Sequence, residues 1–341
     1  MRFDFDATGL GSVPVTDPKT ACRLVFDNFT TIPFWPQLPK RSFLENMYAQ
    51  FSEGLPGLVL DEKNRTLHIE TSRVASDIEK VYQKYLDGEV DFFAISDSFA
   101  PGFYRFLEEL KNIPKGIKFV KGQIAGPISY ALFLTDQNKR SVIYDKDLFE
   151  VLTKVISMKA RWQIKKMKKL FPNIIIFIDE PYLVSIGSSF VNIDMDAAFG
   201  KLDEVARAIK AEDAVCGVHC CGNTDWSALL KSEIDIVNFD AYNFVKEFSL
   251  YAADAKDFLQ KGGSIAWGIV PTSDAIDKET PKTLAKRIKE AIKFLSDKGI
   301  VRDAFSSLVT PSCGTGTLAE DRAAKILNTT RLLSEELRKN R

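Results

Sequence analysis

Histidine is the scarcest chemistry-bearing residue in this chain, with two among 341 positions, so any role that needs an imidazole falls to His68 or His219. Net charge is also missing: 46 basic and 46 acidic residues cancel. They are scattered along the chain rather than gathered in a block, which removes the electrostatic footprint of a nucleic-acid binder and favours a small-molecule substrate. No apolar run approaches the roughly 20 residues of a membrane span. The opening "MRFDFDATGLGSVP" has no apolar core of a signal peptide, so the expectation is a cytoplasmic protein without a membrane partner. Five cysteines are too few and too oddly numbered for a disulfide framework, which leaves each as a buried thiol or a metal ligand.

What is present is alternation. Short β-branched or aromatic runs recur at 3–12, 91–96, 118–124, 174–179, 214–219, 235–240, 264–269 and 306–312, with helical stretches between them. The stretch 147–171 carries apolar residues at three- and four-residue spacing and ends in a basic turn before Pro172, as a helix should. No dinucleotide fingerprint follows the first run, and eight strands alternating with helices suit a (β/α)8 TIM barrel better than an open sheet. The fold expected is therefore α/β, a single barrel domain over 1–341. Residues 31–70, rich in proline and aromatics and ending in a candidate hairpin "GLVLDEKNRTLHIE", read as an insertion near the barrel mouth.

Barrel enzymes place their reactive groups at the carboxyl ends of strands. Gly11 and Ser12 close the first run, Asp179 the fourth and Asp240 the sixth, while His219 and Cys221 end the fifth and Cys313 follows the eighth. His219 and Cys221, two residues apart on extended chain, can face one ion, with Cys220 turned the other way. Two thiolates and an imidazole favour zinc over Mg²⁺ or Ca²⁺. The bland alternative is a strand end whose thiols merely pack, and that reading is preferred for Cys216 and Cys22. His68, in the hairpin, reads as a surface or loop residue. In "FIDEP" (177–181), either Asp179 or Glu180 should face the cavity. Gly126 permits either close approach to a ligand or a tight turn.

The motifs "GLGSVP", "VKGQIAGPIS", "FIDEP", "HCCGNTDW" and "LVTPSCGTGT" together resemble the catalytic barrel of the cobalamin-independent methionine synthase family, within the uroporphyrinogen-decarboxylase-like barrels, in its short "core" form. The resemblance implies a zinc ion (Zn2+) held by His219, Cys221, Asp240 and Cys313, with Asp240 standing where the family usually has glutamate. It implies that L-homocysteine is methylated on sulfur to L-methionine, its amino-acid part lying on Leu10, Gly11 and Ser12 and its ammonium on Asp179. A second family carboxylate, in a "His-Gly-Glu" motif, has no counterpart ahead of "ENMYAQF".

The folate side of the family pattern is also missing. Phe133 stands where a tryptophan would be, Ser185 where a glutamate would be, and "GIVPTSD" (268–274) lacks the family histidine; the duplicated N-terminal barrel of longer members has no match. The resemblance therefore points to methylcobalamin or a methylated corrinoid protein as methyl donor. Two alternatives remain: a methyltransferase acting on a coenzyme M-like thiol, and a non-catalytic zinc- or corrinoid-binding barrel.

Overall fold

A computed structural model describes residues 2–186, 193–300 and 306–339. Among these residues nine strands form, in chain order: β1 Asp4–Ala7, β2 Leu58–Asp61, β3 Thr66–Ile69, β4 Val120–Ala125, β5 Ile174–Asp179, β6 Val215–Cys220, β7 Ile236–Phe239, β8 Ser264–Val270 and β9 Ser307–Pro311. Seven pair in parallel in the order β1-β9-β8-β7-β6-β5-β4, while β2 and β3 form a separate antiparallel hairpin. The parallel strands are buried on both faces nearly throughout, which explains their continuous apolar runs.

Helices cover the outside. The first five are α1 Pro18–Asn28, α2 Thr71–Leu86, α3 Pro101–Leu110, α4 Pro127–Phe133 and α5 Lys146–Lys168. Then come α6 Met195–Lys210, α7 Trp226–Lys231, α8 Ala241–Phe248, α9 Ala252–Gln260, α10 Pro281–Asp297 and α11 Glu320–Lys339. Several start on proline, whose missing N–H costs nothing there, and α5 ends on Lys165, Lys166 and Lys168, which complement the carbonyl end of its dipole.

The second expected strand, 91–96, does not form. Val90–Phe93 is a single 3-10 turn with Val90 and Phe93 buried and Asp91 and Phe92 exposed, a three-residue period rather than alternation. The gap between β1 and β4 is filled from inside the stretch read as an insertion. Trp35 N donates to Lys121 O at 3.1 Å and Lys121 N to Pro33 O at 2.8 Å. Gln37 N then donates to Gly11 O, and Val13 N to Gln37 O, both at 3.0 Å. Residues 33–37 thus bond β4 with one half and the chain beyond β1 with the other. Both edges of the sheet reach the same short segment, so the sheet must curl on itself into a barrel-like α/β fold.

Alternation sorts the strand residues between two layers. Ile175, Phe177, Ile236, Ala266 and Leu308 share an inner cluster, whereas Cys216, Val218, Cys220, Val237 and Val309 pack outward under the helices. Next above the inner cluster come polar residues, and these build the site.

Candidate metal centre

Pairing in register runs Asp179 to His219 to Asn238, across the carboxyl ends of β5, β6 and β7. His219 takes the inner position at the end of β6, and Cys221 follows one residue after that strand. Cys313 comes from the turn after β9. One ring nitrogen of His219 and the Sγ atoms of Cys221 and Cys313 lie within 4.8 Å of one another, with the imidazole buried and both thiols half-buried. No other such group of three gathers among the described residues. The two thiols share a hydrogen bond that pulls Cys221 down to about 4, with His219 pulling the same way, and that pushes Cys313 up. A soft metal bound here would take both sulfurs as thiolates. Donor softness and count fit zinc, with three protein ligands and one position to spare.

These residues line a cavity of about 270 Å³ together with Leu10, Ser12, Asp179 and Glu45. Asp179 Oδ1 is buried with no hydrogen-bond partner. Burial raises Asp179 to about 6 against the pull of His219 and Lys121. Lys121 is wholly buried in the barrel, where burial drops it to about 7 while Asp179 pulls it back. Its Nζ donates to Leu10 O at 3.1 Å, so the carbonyl of the first predicted substrate contact is already held by the protein. Gly11 does not line the cavity. It adopts φ +140°, and a Cβ there would fall 2.6 Å from Gln37 Oε1, so this glycine serves the packing of the closing segment. Ser12 does face the cavity, and its Oγ accepts from Gly316 N at 3.2 Å.

Asp240 lies outside the group of three. Its Oδ1 accepts from Asn243 N at 3.1 Å, capping α8, and its Oδ2 accepts from Asn243 Nδ2 at 2.7 Å. The "FIDEP" pair divides: Asp179 faces the cavity, while Glu180 is fully buried and accepts from Ile128 N, Ser129 N and Ser129 Oγ at the start of α4. That carboxylate decides Gly126, since a Cβ there would lie 2.2 Å from Glu180 Cδ; the glycine makes room for a cap and not for a ligand. Cys220 is buried on the helix side with Sγ 3.5 Å from Gly222 O, and Cys216 and Cys22 are core. His68 sits on the hairpin, opposite Val59.

Three site residues were not expected. Lys121 shares β4 with Gln123 and Asn238 is the one polar residue of β7, a signal that was available in "VKGQI" and "IVNF". Glu45 is a cavity-wall carboxylate four residues after Arg41, which it meets at 3.0 Å.

No family model matches the chain, and no curated protein matches it either. Among solved structures, that of a B12-independent methionine synthase from Shewanella sp. W3-18-1 in complex with selenomethionine is similar over 98% of this chain and 98% of that one. The TM-score is 0.59 and the sequence identity 17%, a likeness of fold.

Proposed function

We propose that this chain is a zinc-dependent methyltransferase that moves a methyl group to the thiol of L-homocysteine, forming L-methionine, with methylcobalamin or a methylated corrinoid protein as donor. The observation that carries the reading is the convergence of His219, Cys221 and Cys313 on one cavity whose wall also offers the unpartnered carboxylate oxygen of Asp179. Zinc bound to those three side chains would stabilise the thiolate form of an acceptor thiol.

The chain's own residues supply the rest. Asp179 accepts the acceptor's ammonium, a charge-assisted pair that satisfies its bare oxygen. Leu10 and Ser12 flank the amino-acid part, and Lys121 fixes the loop that carries them by holding Leu10 O. An anionic Asp179 disfavours a sulfonate-bearing thiol, which sets homocysteine ahead of a coenzyme M-like acceptor. The similar solved structure holds selenomethionine, an amino acid with a methylated selenium, which suits the product proposed here.

The donor side supports a corrinoid. Phe133, where the resemblance places a folate-holding tryptophan, is instead stacked against Tyr48 at 4.1 Å and 13°. Ser185 Oγ is turned to Tyr182 O at 2.7 Å. Cobalt is a better leaving group than a folate amine, so the absence of a proton-donating histidine from 268–274 suits methyl-cobalt chemistry. The test is methionine formation by the zinc-loaded protein from homocysteine, with methylcobalamin in one arm and methyltetrahydrofolate in the other. Turnover with the corrinoid alone is expected. Turnover with the folate alone would overturn the donor assignment, and turnover with neither would overturn the activity.

A further inference from the structure

We propose that Asn238 is the positioning residue of this centre: it holds His219 as the Nδ1–H tautomer, so that Nε2 is the nitrogen left for a metal shared with Cys221 and Cys313. The inference rests on the metal reading above for its purpose, though not for its geometry.

Asn238 stands opposite His219 in the parallel pairing of β6 and β7, and its Oδ1 lies 2.5 Å from His219 Nδ1. The amide is not free to choose which end it presents. Its Nδ2 donates to Ala266 O on β8 at 2.8 Å and also meets Thr310 Oγ1 on β9 at 2.8 Å. A carbonyl oxygen only accepts, so the amino group must stay on the Ala266 side, and the amide oxygen must face the imidazole. That oxygen carries no hydrogen, so the contact is a hydrogen bond only when Nδ1 bears the proton. A neutral imidazole has one N–H, which leaves the lone pair on Nε2.

Three strands thus fix a side chain that a fourth presents. Asn238 is 1% exposed and Thr310 wholly buried, so water does not compete for the contact. Ligating histidines characteristically donate their second nitrogen to such an outer partner, which sets tautomer and ring orientation together. A leucine at 238 would remove the acceptor and free the ring to present either nitrogen. An aspartate would keep that acceptor but lose the donor to Ala266 O.

The experiment is long-range ¹H–¹⁵N NMR of the zinc-free chain at about pH 8.5, two units above the ordinary imidazole value. The chain has two histidines, so His68→Gln leaves His219 as the single imidazole in the spectrum. The expected result is a protonated Nδ1 and a bare Nε2, with Nε2 as the resonance that moves when zinc is added. Asn238→Leu is expected to mix the tautomers and to weaken zinc binding, read by competition with a chromophoric chelator, by about 10- to 100-fold. Asn238→Asp is expected to keep the Nδ1–H form, because its carboxylate still accepts from the imidazole, while it loses the donor to Ala266 O. A protonated Nε2 in the chain with Asn238 intact overturns the proposal, as does a folded Asn238→Leu protein with undiminished zinc affinity. The expected tautomer in a chain that takes up no zinc would instead defeat the metal reading and leave the tautomer assignment standing.

Discussion

At position 45 a glutamate is shut away from solvent on the cavity wall, its carboxyl held by Arg41 and by Leu38 N at 3.2 Å. Burial nevertheless dominates and raises it from 4.5 to about 7, against the pull of Arg41. Below 4.5 the folded and unfolded chains both carry the proton, and the contribution of Glu45 to stability is complete. Between 4.5 and about 7 the unfolded chain ionises first, so stability falls as the pH rises through that window. Urea unfolding of the zinc-free protein should show this fall, and Glu45→Gln should flatten it; parallel pH profiles for the two proteins would refute the assignment. Asp179, His219, Cys221 and Cys313 stood out because each falls at or just past the carboxyl end of a strand, where barrel folds gather reactive groups. Glu45 was not, because its importance comes from being enclosed by a segment whose path the chain does not spell out. Asn238 was passed over as one amide in an apolar strand, and its partners on β8 and β9 are separated from it by 28 and 72 residues.

The helix after β7 gives Asp240 a task different from the one the resemblance implies. As the residue before Ala241, it satisfies an otherwise orphaned N–H of α8. Asp240→Ala should lower unfolding free energy by about 0.5–2 kcal/mol, the usual range for losing a cap. Zinc affinity should change less than about twofold, far below the effect of losing a ligand or its outer partner. A loss of a hundredfold or more, measured by the same chelator competition, would restore Asp240 to the ligand set. Seven of the eight expected strands were readable because parallel strands buried on both faces are continuous apolar runs. The misplaced one shows the limit of that signal. "DFFAIS" has β-like composition but one helical turn of geometry, while "PFWPQ" closes the sheet despite two prolines that a ladder normally excludes.

Closure of the whole sheet converges on Trp35. The side chain is fully buried, donates Nε1 to Gln163 Oε1 at 2.9 Å and packs edge-on to Phe103 at 5.6 Å. Trp35→Ala should cost about 3–5 kcal/mol of unfolding free energy, from lost contacts and the cavity left behind. Denaturant titration would test it, and a loss under about 1 kcal/mol would mean that the segment is dispensable to closure. Pro33 and Pro36 have no N–H, so residues 33–37 join β1 and β4 through four backbone hydrogen bonds, at Pro33, Trp35 and Gln37, preceded by Thr31 O, which accepts from Lys118 N and Phe119 N. Hydrogen exchange should therefore be fastest around the barrel wall at this one line. Pro39, Glu45, Asn46 and Met47, which wall the cavity, lie just beyond it in the chain. A proline-punctuated seam would yield before β5, β6 and β7 do, so the register that sets Asp179, His219 and Asn238 side by side would outlast it.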